Sequence, residues 1–209
     1  MRARPMIVVV SGPSAAGKTT WCRAHHAEHL VEEYTPGGAE PDGPAPEFWC
    51  EVNCRRWQEA LAREAGAGLA VCDDDPMKLH YTWALARLGL VDPAVWRREV
   101  EVNRAAVAAR RLGFADLVLV TVPQSDELRR RRAADTTRRR RNFELHLRMA
   151  GPLREWYEAV ERADPDRVRW ELAADGTLGA AARAGRYDTE LFDAVVTELS
   201  SGRTKGWSS

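Results

Sequence analysis

The stretch GPSAAGKTT, residues 12–20, places Gly12, Gly17, Lys18 and Thr19 in the spacing GxxxxGKT. Residues of these types can grip a polyphosphate. The small residues Gly12, Ser14, Ala15, Ala16 and Gly17 let backbone N–H groups curve around phosphate oxygens. A helix that starts at Lys18 adds its own free N–H groups and the positive end of its dipole. Lys18 can reach the β- and γ-phosphates, Thr19 can offer a hydroxyl to Mg²⁺, and Thr20 is a further phosphate contact. The alternative, a chance glycine-rich turn, requires pattern, lysine, hydroxyl and the strand before them to coincide.

Three other groups of residues could complete a reaction. Glu32 and Glu33, in HLVEEYTPGG, could accept a proton from a hydroxyl or hold that hydroxyl near a γ-phosphate. They could equally end a strand at the surface. Asp73, Asp74 and Asp75 follow GLAVC, and three adjacent like charges need a cation or a basic partner. Asp73 suits a Mg²⁺–water contact or the orientation of a hydroxyl, and Asp74 could touch substrate. Asp75 could cap a helix with Pro76 at its first position. Arginines at 129–132 and 138–141 put eight guanidinium groups in thirteen residues. Such groups suit multidentate phosphate contacts in a closing lid, with Arg132 and Arg138 as positional candidates. Several of them would form an ordinary solvated face.

The elements that must position these groups follow from the apolar pattern. Met6 to Val10 reads as a central parallel strand and Lys18 to about Glu28 as a helix. His29–Glu33 reads as a short strand, and the Pro- and Gly-rich run after Tyr34 as a loop. Helices are expected at 48–65, 78–88, 93–112, 152–162 and 189–199, and strands at 68–72, 115–122 and 168–172. Strands separated by helices imply an α/β fold on a mostly parallel sheet. The reading is a single domain over 1–200 with a lid at 129–145, followed by a flexible tail at 201–209. Phe48, Trp49, Asn53, Arg56, Trp57 and Gln58 could line an acceptor pocket, or pack their helix onto the core.

Composition narrows the classes. Thirty-one basic and 31 acidic residues give a formal net charge of zero, so the whole chain is not drawn to nucleic acid or membrane. The arginine belt lacks interleaved aromatics, which argues against a single-strand track. No apolar run approaches the roughly 18 residues of a membrane span. The start, MRARPMIVVVSG, lacks a cleavage-site pattern and is not expected to be a signal peptide. Cys22, Cys50, Cys54 and Cys72 lack CxxC spacing and read as buried thiols, which fits a reducing cytoplasm.

Over about residues 6 to 172 the ordered set resembles the P-loop small-molecule kinases, especially the deoxynucleoside kinase and thymidylate kinase group. The resemblance rests on GPSAAGKTT, HLVEEYTP, FWCEVNCRRWQE, DDDP, ADLVLVTVPQSDELRRRRAADTTRRRR and PLREWYEAVERAD. It implies a three-layer P-loop NTPase fold with about five mostly parallel strands and an Arg-rich lid. It also implies ATP and Mg²⁺ as cofactors, and a small-molecule hydroxyl as acceptor. Glu32 or Glu33 would match the carboxylate base, with Glu33 slightly favoured. Asp74 stands where that group carries an arginine. An acidic pocket would favour a neutral polyol or an aminated acceptor over an ordinary nucleoside.

The expectation is therefore an ATP-dependent kinase acting on a nucleoside-like compound or a hydroxylated or aminated sugar or natural product. A homodimer is left open. The rivals are an NTPase and a regulatory nucleotide-binding module, neither with a small acceptor. Lys18→Ala should greatly reduce phosphoryl transfer, followed as phosphorylated product by mass. Near-normal transfer would reject the role of the cradle.

Overall fold

The computed structural model describes residues 5–34, 40–135, 142–179 and 185–201. Its sheet has five strands: β1 Met6–Ser11, β2 Leu30–Val31, β3 Leu69–Asp73, β4 Leu117–Val120 and β5 Val168–Arg169. They lie in the order β2-β3-β1-β4-β5, and every pairing is parallel. The helices are α1 Lys18–His26, α2 Pro46–Ala67, α3 Leu79–Arg87, α4 Pro93–Ala108, α5 Ser125–Ala134, α6 Phe143–Arg148, α7 Ala150–Ala163 and α8 Thr189–Ser201.

β1 shows why the sheet is central. All six of its residues are buried, and successive side chains alternate between two apolar layers. Ile7 and Val9 pack into the larger layer, with Trp57 of α2, Trp83 of α3, Trp156 of α7 and Phe192 of α8. Val8 and Val10 face the opposite side, against Trp21 and Cys22 of α1. The result is a three-layer α/β fold. All four cysteines are buried and unpaired with one another.

Several elements differ from the sequence pattern at their ends. β2 contains two residues rather than five, because a 3₁₀ turn at Ala27–His29 consumes its expected start. Glu32 and Glu33 then leave the ladder. α3 spans Leu79–Arg87, close to the expected 78–88, and Asp75 caps no helix starting at Pro76: its carboxylate instead accepts from Met77 N at 3.0 Å in a local turn. α6 was not expected. Phe143 anchors it by packing with Ala15, Ala16 and Leu128, so the segment after the arginines docks on the phosphate-loop side. Part of the expected lid, 136–141, and the tail beyond Ser201 lie outside the described residues. Among the described residues no helix is long and apolar enough to cross a membrane.

Glu99 of α4 is buried, with Asn103 Nδ2 donating to its Oε2 at 3.3 Å. Burial pushes its carboxyl from 4.5 up to about 7, against the hydrogen bond from Asn103. A carboxyl raised in this way holds its proton more tightly in the folded chain than in the unfolded one. Its contribution is present at low pH and lost as pH rises from about 4.5 through about 7. Glu99→Gln should flatten the fall of Tm across that window in thermal melts. An unchanged slope would contradict this assignment.

Candidate active site

The loop between β1 and α1 is shaped by backbone that few residues tolerate. Gly17 adopts φ 95° as the residue before α1, and Ala15 adopts φ 68°. A Cβ on Gly12 would stand 2.2 Å from the Thr121 carbonyl oxygen, so only glycine fits there. α1 has no side-chain cap and no acidic residue in its first turn. Its positive end and free N–H groups are thus left for an anion. Lys18 Nζ folds back to the Gly12 carbonyl oxygen at 2.7 Å.

Register places the acids beside this loop. Val10 of β1 pairs with Asp73 of β3, so the carboxylate stands where the loop begins. Thr19 Oγ1 donates to Asp73 Oδ2 at 2.6 Å. Asp73 Oδ1 is buried with no hydrogen-bond partner among the described residues. Burial raises the Asp73 carboxyl, with Thr19 and Lys18 opposing. These residues fit a magnesium ion. Mg²⁺ keeps several waters and needs only one or two protein oxygens beside phosphate. The described residues hold no cluster of three metal-ligating side chains.

Asp74 is buried one residue further on and is occupied by protein groups. Ser11 Oγ donates to its Oδ1 at 3.2 Å, Lys78 Nζ bonds its Oδ2, and His80 Nε2 lies 3.6 Å from Oδ1. Burial alone would raise this carboxyl, but Lys78 holds it well below the usual carboxylate range. Burial pushes the His80 imidazole down to about 4, so it is neutral near pH 7. Burial likewise pushes Asp75 up to about 6, with Tyr157 OH 3.3 Å from its Oδ2. The same Lys78 Nζ donates to Glu33 Oε1 at 2.7 Å. Glu32 points elsewhere and pairs with Arg23 on an exposed face at 2.9 Å.

The phosphate loop and this charged group line one cleft of about 300 Å³. Gly12, Ser14, Ala15, Ala16, Gly17, Lys18, Thr19 and Thr20 form one wall, and Glu33, Asp74 and Lys78 another. Tyr81, Ala84, His146, Met149 and Leu153 supply aromatic and apolar surface. Burial lowers the His146 imidazole.

On the lid side, Arg131 Nη1 donates to the Ala16 carbonyl at 2.8 Å, reaching the phosphate loop directly. Arg132 stacks on Phe143, its guanidinium carbon 4.8 Å from the ring centroid. Arg129 and Arg130 pair with nearby acids on the surface. Arg138 lies outside the described residues.

The residues of α2 serve the site from behind. Trp57 is fully buried in the core, with Nε1 donating to Tyr187 OH at 3.3 Å. Asn53 Nδ2 donates to the Met77 carbonyl at 3.1 Å. Arg56 Nη2 donates to the carbonyls of Asp73 and Asp74, both at 3.0 Å. This guanidinium fixes the acidic turn through its backbone. Sequence reasoning missed Lys78, although its place four residues after Asp74 is a legible spacing for an ion pair. It also passed over His146, which carries no local pattern.

No protein-family profile and no curated protein matches the chain. Among solved structures it is similar to deoxyadenosine kinase from M. mycoides with bound dATP. That match has a TM-score of 0.54 and 13% identity, covering 96% of this chain and 98% of the other. The same kinase with the products dCMP and dCDP gives 0.53 at 12% identity, over 96% and 98%. With bound dCTP it gives 0.50 at 12%, over 94% and 100%. The likeness is one of fold along nearly the whole chain.

Gly12→Ala should weaken binding of a non-hydrolysable ATP analogue by at least about tenfold, measured by calorimetric titration. Affinity near that of the unaltered chain would contradict the cradle geometry.

Proposed function

We propose that this chain is an ATP-dependent phosphotransferase that moves the γ-phosphoryl group to a hydroxyl of a small molecule. The acceptor is nucleoside-like or a hydroxylated or aminated sugar or natural product. One observation carries the reading: a phosphate loop and a carboxylate, Glu33, line the same cleft. Its volume, about 300 Å³, suits a small ligand. The long structural likeness to a deoxyadenosine kinase supports the same direction.

In this reading the backbone amides of residues 12–19 and the Lys18 ammonium hold the triphosphate. Thr19 and Asp73 would hold Mg²⁺, directly or through water, and the ion would supply positive charge beside the phosphates. Glu33 accepts the proton of the acceptor hydroxyl as its oxygen bonds to the γ-phosphorus. The bond from that phosphorus to the bridging oxygen breaks, and ADP leaves. Glu33 is preferred over Glu32, which is exposed on Arg23, and over Asp74, whose two carboxylate oxygens are engaged by Ser11 and Lys78, whereas Lys78 reaches only Oε1 of Glu33. Among the described lid arginines, Arg131 is the one best placed to neutralise transferred charge, because it already touches the loop. Closure of the lid would exclude water that competes as acceptor.

Incubation with Mg-ATP and separate deoxynucleosides, ribonucleosides, aminoglycosides and polyols tests this. The expected result is an acceptor that gains one phosphoryl group by mass, with stoichiometric ADP. ATP consumption with no modified acceptor would reject transfer in favour of simple hydrolysis.

A further inference from the structure

We propose that Lys78 is a positioning residue for phosphoryl transfer, holding Glu33 at the acceptor end of the cleft by bridging it to buried Asp74. The inference rests on the phosphotransfer reading and adds a residue that neither the loop nor the acidic run reveals. Lys78 Nζ donates to Glu33 Oε1 at 2.7 Å and also bonds Asp74 Oδ2. Glu33 leaves β2 on a segment with no ladder partner beyond Val31, so the bridge ties it to the rigid end of β3. The arrangement gives a carboxylate that lies outside the sheet a fixed address beside the phosphate loop.

A second observation is independent of these contacts. Lys78 sits at φ 54° and Asp74 at φ 70°, both in the left-handed region. An aspartate tolerates that conformation, whereas a lysine does so at a cost that glycine or asparagine would avoid. Strained backbone of this kind persists where a side chain is needed in one place. Burial works against the Lys78 charge, yet the two carboxylates hold its ammonium above the usual lysine range. Lys78 is therefore a permanent cation at this point. It supplies positive charge in a pocket where Asp74 alone suggested a purely acidic one.

Lys78→Met alone leaves a buried carboxylate uncompensated and can fail to fold. The test therefore uses Lys78→Met/Asp74→Asn, which removes the buried Asp74 charge and its partly buried partner together, and Lys78→Arg, which keeps a cation. With the best acceptor from the panel, the double variant should keep a cooperative melt and the KM for ATP. Its kcat should fall at least about 10²-fold, and Lys78→Arg should recover most of that loss. A double variant that folds and turns over near the original kcat would overturn the proposal. A readout without turnover is available because the chain has three lysines, Lys18, Lys78 and Lys205. Each ¹⁵N-labelled ammonium signal can be assigned by substitution with arginine. Protection of the Lys78 signal from water exchange should be reduced in Glu33→Gln; equal protection would show that Lys78 does not hold Glu33. A chain that phosphorylates no acceptor defeats the phosphotransfer reading, and the ammonium signal then decides the Lys78–Glu33 bridge by itself.

Discussion

The hydrogen bond from Thr19 Oγ1 to Asp73 Oδ2 joins the two halves of the cleft. One end belongs to the first turn of α1, the other to the last residue of β3. A hydrogen bond to a charged group contributes about 1.5–3 kcal/mol. Its larger effect is geometric. It fixes the start of the phosphate loop's helix against the strand that leads into Asp74, which lines the cleft. The bond is available because β1 and β3 pair in parallel with Val10 opposite Asp73. In an open parallel sheet, the carboxyl ends of neighbouring strands are where ligand-binding groups gather.

That junction concentrates negative charge, and the protein distributes its compensation over several elements. Arg56 of α2 takes the backbone carbonyls of Asp73 and Asp74. Lys78, just before α3, takes the side chains of Asp74 and Glu33. Tyr157 of α7 reaches Asp75, whose burial raises its carboxyl to about 6. Each acid of the run thus has a different environment. Among the described residues Asp73 keeps one oxygen without a partner, Asp74 has partners on both oxygens, and Asp75 supports its own turn. Three identical residues can then do three different things, because burial and partners set their charge and reach.

Much of this was legible locally. The run MIVVVS followed by GxxxxGKT specifies a buried strand, a tight loop and a helix within one short segment, and the structure contains that order. The requirement that DDD find compensating cations was also readable, but its solution was not. Arg56 comes from α2, and only tertiary packing brings it to the acids, whereas Lys78 stands four residues after Asp74, a local spacing that the charge run alone did not single out. Trp57 illustrates the same limit. An aromatic on an amphipathic helix fits a pocket or a core equally well, and here it is core. Asp75 and Pro76 offered a helix cap, but Asp75 serves a local turn instead, and α3 starts at Leu79, one residue inside the expected 78–88, with Lys78 lining the cleft. α6 escaped notice because six residues carry too little periodicity, whereas burial of Phe143 secures it.

The fold persists at 13% identity to the M. mycoides enzyme because sheet order and apolar layers can be kept by many sequences. The most direct measurement is a crystal structure with Mg²⁺ and a non-hydrolysable ATP analogue. The account predicts phosphates enclosed by residues 12–19, the metal beside Thr19 and Asp73, and the terminal phosphate facing Glu33. A triphosphate seated away from that loop, or one whose terminal phosphate turns from Glu33 toward solvent, would contradict it.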